Sequence, residues 1–520
     1  MNTLDFLTIA SSVVPDRTAI SFEGQEYSYA QVNERSNRLA HALLDLGVKG
    51  GERVAILQVN CPQYLEAYYG AVKAGAIFVP LNFRAKEDEL TYLLNHSESQ
   101  VLLMGERYLD LANSLRRHAP GVRHYISLEK PHSGMLDYET LLQRASPEDL
   151  FPEIGDDDAT ILLYTAGTTG RPKGVPLTHR SFGTYVQENV EPPDLEKTET
   201  NVLTVPLYHV AGTQAMLAAV YGGRTLAMMR QFEVKEWLET VQREKASRAM
   251  LVPTMLKRVI DYPQLDQYDL SSLKVITYGA ASMPFEVIKK AIELFPWVRF
   301  INAFGQTETA STVTALGPED HVLVGLSEEA KAKKLRRLSS SIGKPLPDVE
   351  MGIMDEHGHL LPPGHVGEIV VKGTRIMSGY WKDPEKTAQT LDAQGWLHTR
   401  DVGWRDEEGY YYLAGRGDDM IIRGGENISP EEVEQVIQSH PKVEEAAVIA
   451  VHDPEWGQQP KAVVVLKEGH QATPEEIMEF CRQRLSSFKR PRSVVFVEAL
   501  PRNPMGKVIR KALREQHGQS

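Results

Sequence analysis

Ten consecutive residues, Thr165 to Gly174 (TAGTTGRPKG), hold three glycines, three threonines and one lysine. These types suit a polyphosphate: glycines let backbone N–H groups approach an anion, hydroxyls add donors, and Lys173 supplies charge. The spacing is not that of the common nucleotide loop, whose second glycine is followed directly by Lys-Ser/Thr. Here Gly167 and Gly170 stand close together and Lys173 precedes Gly174. A plain turn between strands accommodates the same residues, so the loop takes its meaning from its surroundings.

An apolar run, Ala159 to Tyr164 (ATILLY), leads into the loop and reads as a buried strand. Upstream, Ser28 and Gln31 form a capping box ahead of a helix that ends by Gly47. RVAILQV (Arg53 to Val59) reads as a strand, CPQYLEAYYGAVKAG as a helix ending near Gly75, and AIFVPLN as the next strand. That is a βαβ unit, hence a parallel sheet covered by helices. The alternation recurs in TNVLTVPLYH, MLAAVYGG, RTLAMM, ASRAMLVP, LKVITYG, a helix from Pro284 to Phe295, and RFINAFG. The expected fold is α/β, with a large N-terminal domain of doubly wound sheets and ligands at the carboxyl ends of the strands. The loops after ATILLY, LTVPLY, VITYG and FINAFG all fall at such ends.

The polar, basic stretch from Gly325 to Ser341 fits a solvated helix face better than an anion-binding patch. From Ile342, runs such as VEMGIMD, GEIVVKG and YYYLAG between Gly/Pro/Asp turns predict a small β subdomain over residues 342–417, within a large domain spanning 1–417. Past Gly415 the texture changes again. Ser429 caps a helix with Pro430 at its first position, and AAVIAV, KAVVVL, a helix from Thr473 and SVVFV follow. Residues 418–520 are therefore expected to form a small, mobile C-terminal α+β domain joined by a glycine-rich crossover.

At 520 residues with 42% hydrophobic and 24% charged residues, the composition is that of a globular enzyme, and a net charge of −13 argues against a general nucleic-acid binder. The only cysteines, Cys61 and Cys481, give neither a disulfide framework nor a metal-ligand spacing. No apolar run reaches the ~18 residues of a membrane span, and no basic residue precedes Phe6 to Val14 as a signal peptide would need. A cytoplasmic location is expected. Attachment to a membrane surface and homodimerisation stay open.

Five segments in order, TAGTTGRPKG, FGQTE (Phe304 to Glu308), TRDVGW around Asp401, GRGDDMIIRGGENISP from Gly415, and PRNPMGKVIR around Lys507, resemble the adenylate-forming superfamily. That superfamily includes acyl-CoA synthetases, peptide-synthetase adenylation domains and beetle luciferases, and the resemblance spans essentially the whole chain. It implies a two-step reaction. A carboxylate attacks the α-phosphate of ATP, releasing pyrophosphate and leaving an acyl-AMP; a thiol, usually that of coenzyme A, then attacks the acyl carbonyl and expels AMP.

The resemblance also implies roles. Thr165, Gly167, Thr168, Thr169, Gly170 and Lys173 match the loop that holds the β- and γ-phosphates. Phe304 takes the aromatic position on adenine, where the family more often has Tyr, and Gly279, Ala280 and Ala281 match the lining of the adenine pocket. Thr307 would contact the α-phosphate and Glu308 would hold Mg²⁺, a cation that prefers carboxylate and phosphate oxygens. Asp401 matches the acid on the ribose hydroxyls and Arg416 a second ribose or phosphate contact. Lys507 matches the lysine that bridges carboxylate and α-phosphate, and Asp418 the hinge about which the C-terminal domain turns between steps. Gly424 and Gly425 would admit the pantetheine arm. Trp456, Phe488 and Arg490 fall where some aryl-CoA ligases clamp coenzyme A, although packing roles fit the two aromatics nearly as well. His209 in PLYHVAG matches a histidine gating the acyl pocket.

The pocket segments VAGTQAM, YGAA and TAST are small and neutral, and no buried Lys or Arg stands out to meet a second carboxylate. A monocarboxylic acid (fatty, aryl or alicyclic) is the expected substrate. The rivals are a stand-alone ligase that loads a carrier protein, a luciferase-like oxygenase, and a non-catalytic nucleotide-binding sensor.

Overall fold

The computed structural model describes residues 1–165, 171–281, 283–416, 419–423, 426–453, 456–502 and 508–518, with the backbone alone at 415, 416, 422, 426 and 427. Among these, seven strands form one sheet. Five of its inner and outer neighbours run parallel, in the order Leu136–Asp137, His124–Ser127, Ser99–Met104, Arg53–Leu57 and Ile77–Pro80, and Ala159–Thr165 joins beside Ile77–Pro80. At the edge, Ala159–Thr165 turns back as an antiparallel hairpin with Lys173–Thr178, pairing Thr165 with Lys173. The segment after the glycine–threonine loop is thus a strand before it becomes the helix His179–Asn189.

A second sheet counts thirteen described strands. Its parallel part runs through Arg299–Gln306, Val275–Gly279, Arg248–Leu251, Thr200–Leu203, Thr225–Met228 and Thr18–Phe22. The β-rich stretch expected from Ile342 onward continues the edge of this same sheet. Ser341–Pro345 bonds to Ser311–Leu316 on one side and to Tyr411–Arg416 on the other.

The main core lies between the two sheets, drawing Val54, Ile56 and Leu163 from one and Ile20, Leu203 and Leu226 from the other. At its centre sits the helix Pro62–Lys73, eleven of whose twelve residues are buried. Its sequence is apolar or aromatic on nearly every side, as a helix enclosed by sheets requires. Tyr68 on this helix exchanges hydrogen bonds with Thr160 Oγ1 (2.8 Å) and Thr3 Oγ1 (2.7 Å), and Thr3 meets His179 Nδ1 at 2.7 Å. This buried chain ties the strand that enters the loop to the helix that leaves the hairpin.

The C-terminal residues build a separate small sheet in the order Glu426–Ile428, Ile421–Arg423, Gly457–Leu466, Val443–Asp453, with Ser493–Phe496 parallel to Gly457–Leu466. The helices Pro430–Gln438 and Pro474–Arg482 pack on it, and Ser429 and Thr473 cap them as the sequence predicts. This is the α/β architecture with a smaller C-terminal unit that the sequence leads one to expect. Among the described residues no helix is long and apolar enough to cross a membrane.

Candidate functional site

Arg299–Gln306 ends in a single 3-10 turn, Thr307–Thr309, and the chain reverses through Ala310 (φ 51°) and Ser311 (φ 86°) into the antiparallel strand Ser311–Leu316. Gln306 closes this turn: its backbone N–H donates to Thr309 Oγ1 at 3.0 Å. Thr307 and Glu308 are therefore presented on a braced corner at the carboxyl end of a parallel strand, where open α/β sheets place their ligands.

Tyr380 is the residue that organises this corner. Its hydroxyl donates to Glu308 Oε1 at 2.8 Å, and the Glu308 carbonyl accepts the Met377 N–H at 2.9 Å. Lys173 Nζ stands 4.4 Å from the Tyr380 ring centroid and 3.5 Å from its hydroxyl, a cation–π geometry first and a long polar contact second. Burial lowers the Lys173 amine's affinity for its proton while Glu308 raises it, and burial followed by Glu308 raises the Tyr380 phenol. The hairpin lysine, the turn carboxylate and the tyrosine thus meet in one half-buried cluster.

The segment carrying Tyr380 is pinned to the hairpin. Trp381 N–H donates to the Gly174 carbonyl at 2.8 Å and its indole N–H to the His96 carbonyl at 3.1 Å. A Cβ at Gly174 would lie 3.0 Å from Trp381 Cβ and 3.1 Å from Leu162 Cδ1, so glycine permits this approach.

Asp401 is 6% exposed and takes the Gln306 side-chain N–H at 2.8 Å; the same amide donates to the Thr399 carbonyl at 3.0 Å. The backbone of Asp401 is in register with that of Arg416. Gly279 closes its strand against Arg299–Gln306, where an added Cβ would come within 2.1 Å of the Ala303 carbonyl oxygen, and Ala280 follows at φ 67° and Ala281 after it. Phe304 is half-buried between two small apolar groups, one around Ile342, Ile353 and Ile369, the other around Val313, Val349 and Val371. The sequence-predicted residues Thr307, Glu308, Lys173, Asp401, Phe304 and Gly279 are therefore carried by neighbouring elements.

His209 precedes the helix Val210–Tyr221 but its side chain makes no capping hydrogen bond, and its ring packs 4.2 Å from that of Tyr208. Its Nε2 is buried with no partner among the described residues. Burial, reinforced by Arg84, pushes the imidazole down to about 3, so the ring is neutral at physiological pH. A buried arginine that the sequence does not single out lies near the small neutral segments. Arg375 is fully buried and donates from Nη1 to the Thr312 carbonyl at 2.7 Å. Its other nitrogens are paired with Asp348, so its charge is spent within the protein and is not free for a second substrate carboxylate.

In the C-terminal unit, Trp456 is 45% exposed with the Arg423 guanidinium 5.4 Å from its ring. Phe488 packs on the core and Arg490 Nε donates to the Leu485 carbonyl at 2.9 Å. Trp456 precedes the strand Gly457–Leu466 and Phe488–Arg490 precede Ser493–Phe496, its parallel neighbour, so the two lead into the same end of that sheet. Gly167, Thr168, Thr169, Gly170, Asp418, Gly424, Gly425 and Lys507, and the side chain of Arg416, lie outside the described residues. Tyr380 and Gln306 were missed by the sequence reading. Gln306 stands inside FGQTE and was within reach of it, whereas Tyr380 sits in an irregular stretch whose only signal is an aromatic pair beside a glycine.

A sequence model of AMP-binding enzymes matches residues 8–381, and one of the AMP-binding enzyme C-terminal domain matches residues 432–507. The chain is 35% identical over 505 residues to a feruloyl-CoA synthase of Amycolatopsis sp, covering 97% of this chain and 96% of that protein. It is 32% identical over 511 residues to the fatty acid–acyl-carrier-protein ligase ScoC of Streptomyces coeruleorubidus, covering 96% and 94%. The fold matches the crystal structure of the anthranilate CoA ligase AuaEII in complex with anthranoyl-AMP with a TM-score of 0.89 at 28% identity, over 99% of this chain and 97% of that one.

Proposed function

The chain belongs to the family of AMP-binding enzymes, and on that premise we propose that it is an ATP-dependent acyl-CoA synthetase for a monocarboxylic acid. The observation that carries this reading is the meeting, around the turn Thr307–Thr309, of a hairpin lysine, a turn carboxylate and the buried Asp401. A cation for phosphates, an acid for a metal and an acid for ribose are what adenylation asks of a protein.

The first step brings two anions together. One carboxylate oxygen attacks the α-phosphorus and the bond to pyrophosphate breaks, so positive groups must offset charge at both the entering and the leaving oxygens. In this reading Lys173 and the Thr165–Gly170 loop hold the β- and γ-phosphates, Thr307 the α-phosphate, Phe304 and Gly279 to Ala281 the adenine, and Asp401 and Arg416 the ribose. Gln306 fixes the Asp401 carboxylate for that task. Lys507 bridges the two reactants. Among the described residues no three His, Cys, Asp or Glu side chains converge on a metal, yet Glu308 Oε2 has no partner there, which fits an ion that arrives with the phosphates. When bound, Mg²⁺ would neutralise phosphate charge beside Glu308.

In the second step the thiol sulfur bonds to the acyl carbon and the bridging oxygen leaves with AMP. Rotation about Asp418 would withdraw Lys507 and present Gly424 and Gly425 to the pantetheine arm, with Trp456, Phe488 and Arg490 at the nucleotide end. Neutral His209 beside the acyl pocket adds no charge to compete with the reacting carboxylate. The two buried, unbridged cysteines suit the reducing cytoplasm. A carrier-protein thiol as acceptor is the second reading, favoured by the likeness to ScoC.

The test is pyrophosphate release with Mg·ATP across fatty, aryl and alicyclic acids, with and without coenzyme A. Turnover requiring both one acid class and coenzyme A is the expected result. Release indifferent to coenzyme A favours the carrier-protein reading, and ATP binding with no release for any acid would leave the sensor reading.

A further inference from the structure

Arg423 has no part in the reading above. It ends the strand Ile421–Arg423 of the C-terminal unit and is only 9% exposed. A buried guanidinium ordinarily has a carboxylate beside it, as Arg375 has Asp348 and Arg510 has Glu434. Among the described residues Arg423 has no hydrogen-bond or ion-pair partner, and its Nε is buried without one. What the guanidinium does meet is the indole of Trp456, whose ring centroid lies 5.4 Å from its carbon.

The surroundings leave room for a ligand. Trp456 is an exposed aromatic, and Gly457, which pairs with Arg423 across the sheet, has open space where a Cβ would stand. Asp453 Oδ1 accepts the Trp456 backbone N–H at 2.8 Å and so fixes the turn that carries the indole. Ile421, two residues before Arg423 on the same face of its strand, enters the apolar core that Phe488 joins. A cation without an anion therefore lies against an open aromatic surface. Burying a charge unpaired is costly in the free protein, and the cost is recovered when an anion reaches it.

We propose that Arg423 is a phosphate contact of the thiol acceptor, its guanidinium receiving a ribose phosphate of a nucleotide whose adenine lies on the Trp456 indole. The planar guanidinium fork matches two phosphate oxygens at once, and an open indole face suits a purine. The assignment rests on the acyl-CoA synthetase reading and narrows it. The acceptor is a thiol that carries a nucleotide, because the phosphopantetheine of a carrier protein has neither the base nor the ribose phosphates.

The test is thioester formation by the full chain and its Arg423→Gln, Arg423→Lys and Arg423→Met variants, with coenzyme A, dephospho-coenzyme A and pantetheine as acceptors. Arg423→Gln should raise the KM for coenzyme A by ~10-fold or more, the loss of a charge-assisted pair, with kcat and the KM for pantetheine within ~2-fold. Arg423→Lys should recover part of the loss. A rise for coenzyme A alone places the guanidinium on the 3′-phosphate, and an equal rise for dephospho-coenzyme A places it on the diphosphate. Arg423→Met should unfold at no lower a urea concentration than the unaltered protein, because it removes a buried charge that lacks a partner, and this separates lost contact from lost fold. An unchanged KM for coenzyme A in Arg423→Gln, an equal rise for pantetheine, or a lowered urea midpoint in Arg423→Met would overturn the assignment alone. Acyl-AMP formed by the unaltered protein without any thioester from coenzyme A would overturn the acyl-CoA reading with it.

Discussion

Tyr380→Phe removes one oxygen and tests whether the Lys173–Tyr380–Glu308 cluster acts as a unit. The hydroxyl is 2.8 Å from Glu308 Oε1, and the side chain is 8% exposed, so water does not readily replace the lost donor. A hydrogen bond to a charged group contributes about 1.5–3 kcal/mol, which becomes ~10- to 150-fold in rate if the bond is needed in the transition state. The ring survives the substitution, so the cation–π contact with Lys173 persists and the effect reports on the hydroxyl, through its bond to Glu308 and its long contact with Lys173. Freed of its donor, Glu308 is drawn to Lys173, and each then loses the orientation it offers the phosphates. The assay is kcat/KM for Mg·ATP in pyrophosphate release at a saturating, turned-over acid. Tyr380→Leu, which also removes the ring, should cost a further ~0.5–2 kcal/mol. A Tyr380→Phe enzyme within ~3-fold of the unaltered one would refute the argument, since that is below the smallest value a charged hydrogen bond gives.

Stability should fall with pH through two buried histidines. Burial pushes His179 and His321 each down to about 4, so the stability they contribute is complete above the unfolded value near 6.5 and is lost as pH falls towards 4. At pH 5 each should have lost ~2 kcal/mol, and His321→Asn, though less stable at pH 7, should lose that much less between pH 7 and 5 in urea unfolding; parallel losses would exclude the mechanism. Arg375→Met strands the buried Asp348 carboxylate and should cost ~3–5 kcal/mol in the same assay, a loss that Asp348→Asn in the same chain should partly restore. Trp456→Ala, at an exposed position, should leave the melting temperature and acid-dependent pyrophosphate release unchanged while raising the KM for coenzyme A; an unaltered KM would remove Trp456 from the acceptor site.

Local signals in the chain proved sufficient for local structure. The capping box of Ser28 and Gln31 and the Ser429–Pro430 helix start form as expected, because each depends on residues within one turn. The strand-end loops could be read for the same reason: a parallel strand followed by glycine and threonine announces its own terminus. Contacts across the chain left no such trace. Glu308 and Tyr380 are 72 residues apart and Lys173 and Tyr380 are 207 apart, and no periodicity links them. Arg375 resembles a surface residue in sequence, since only the fold supplies the Asp348 that allows its burial. The merging of the β-rich stretch into the large sheet turns on the pairing of Thr314 with Pro345 and Ser341 with Tyr412, a matter of edge register that neither strand encodes alone.

The central claim is that a substrate carboxylate attacks the α-phosphorus of ATP and that its oxygen later departs with AMP. Turnover of an acid labelled with ¹⁸O in its carboxylate, with Mg·ATP and coenzyme A, tests this at the level of atoms. One labelled oxygen should appear in AMP and none in pyrophosphate. Label absent from AMP while thioester forms, or label recovered in a released phosphate, would contradict an acyl-adenylate and the assignment of the site with it.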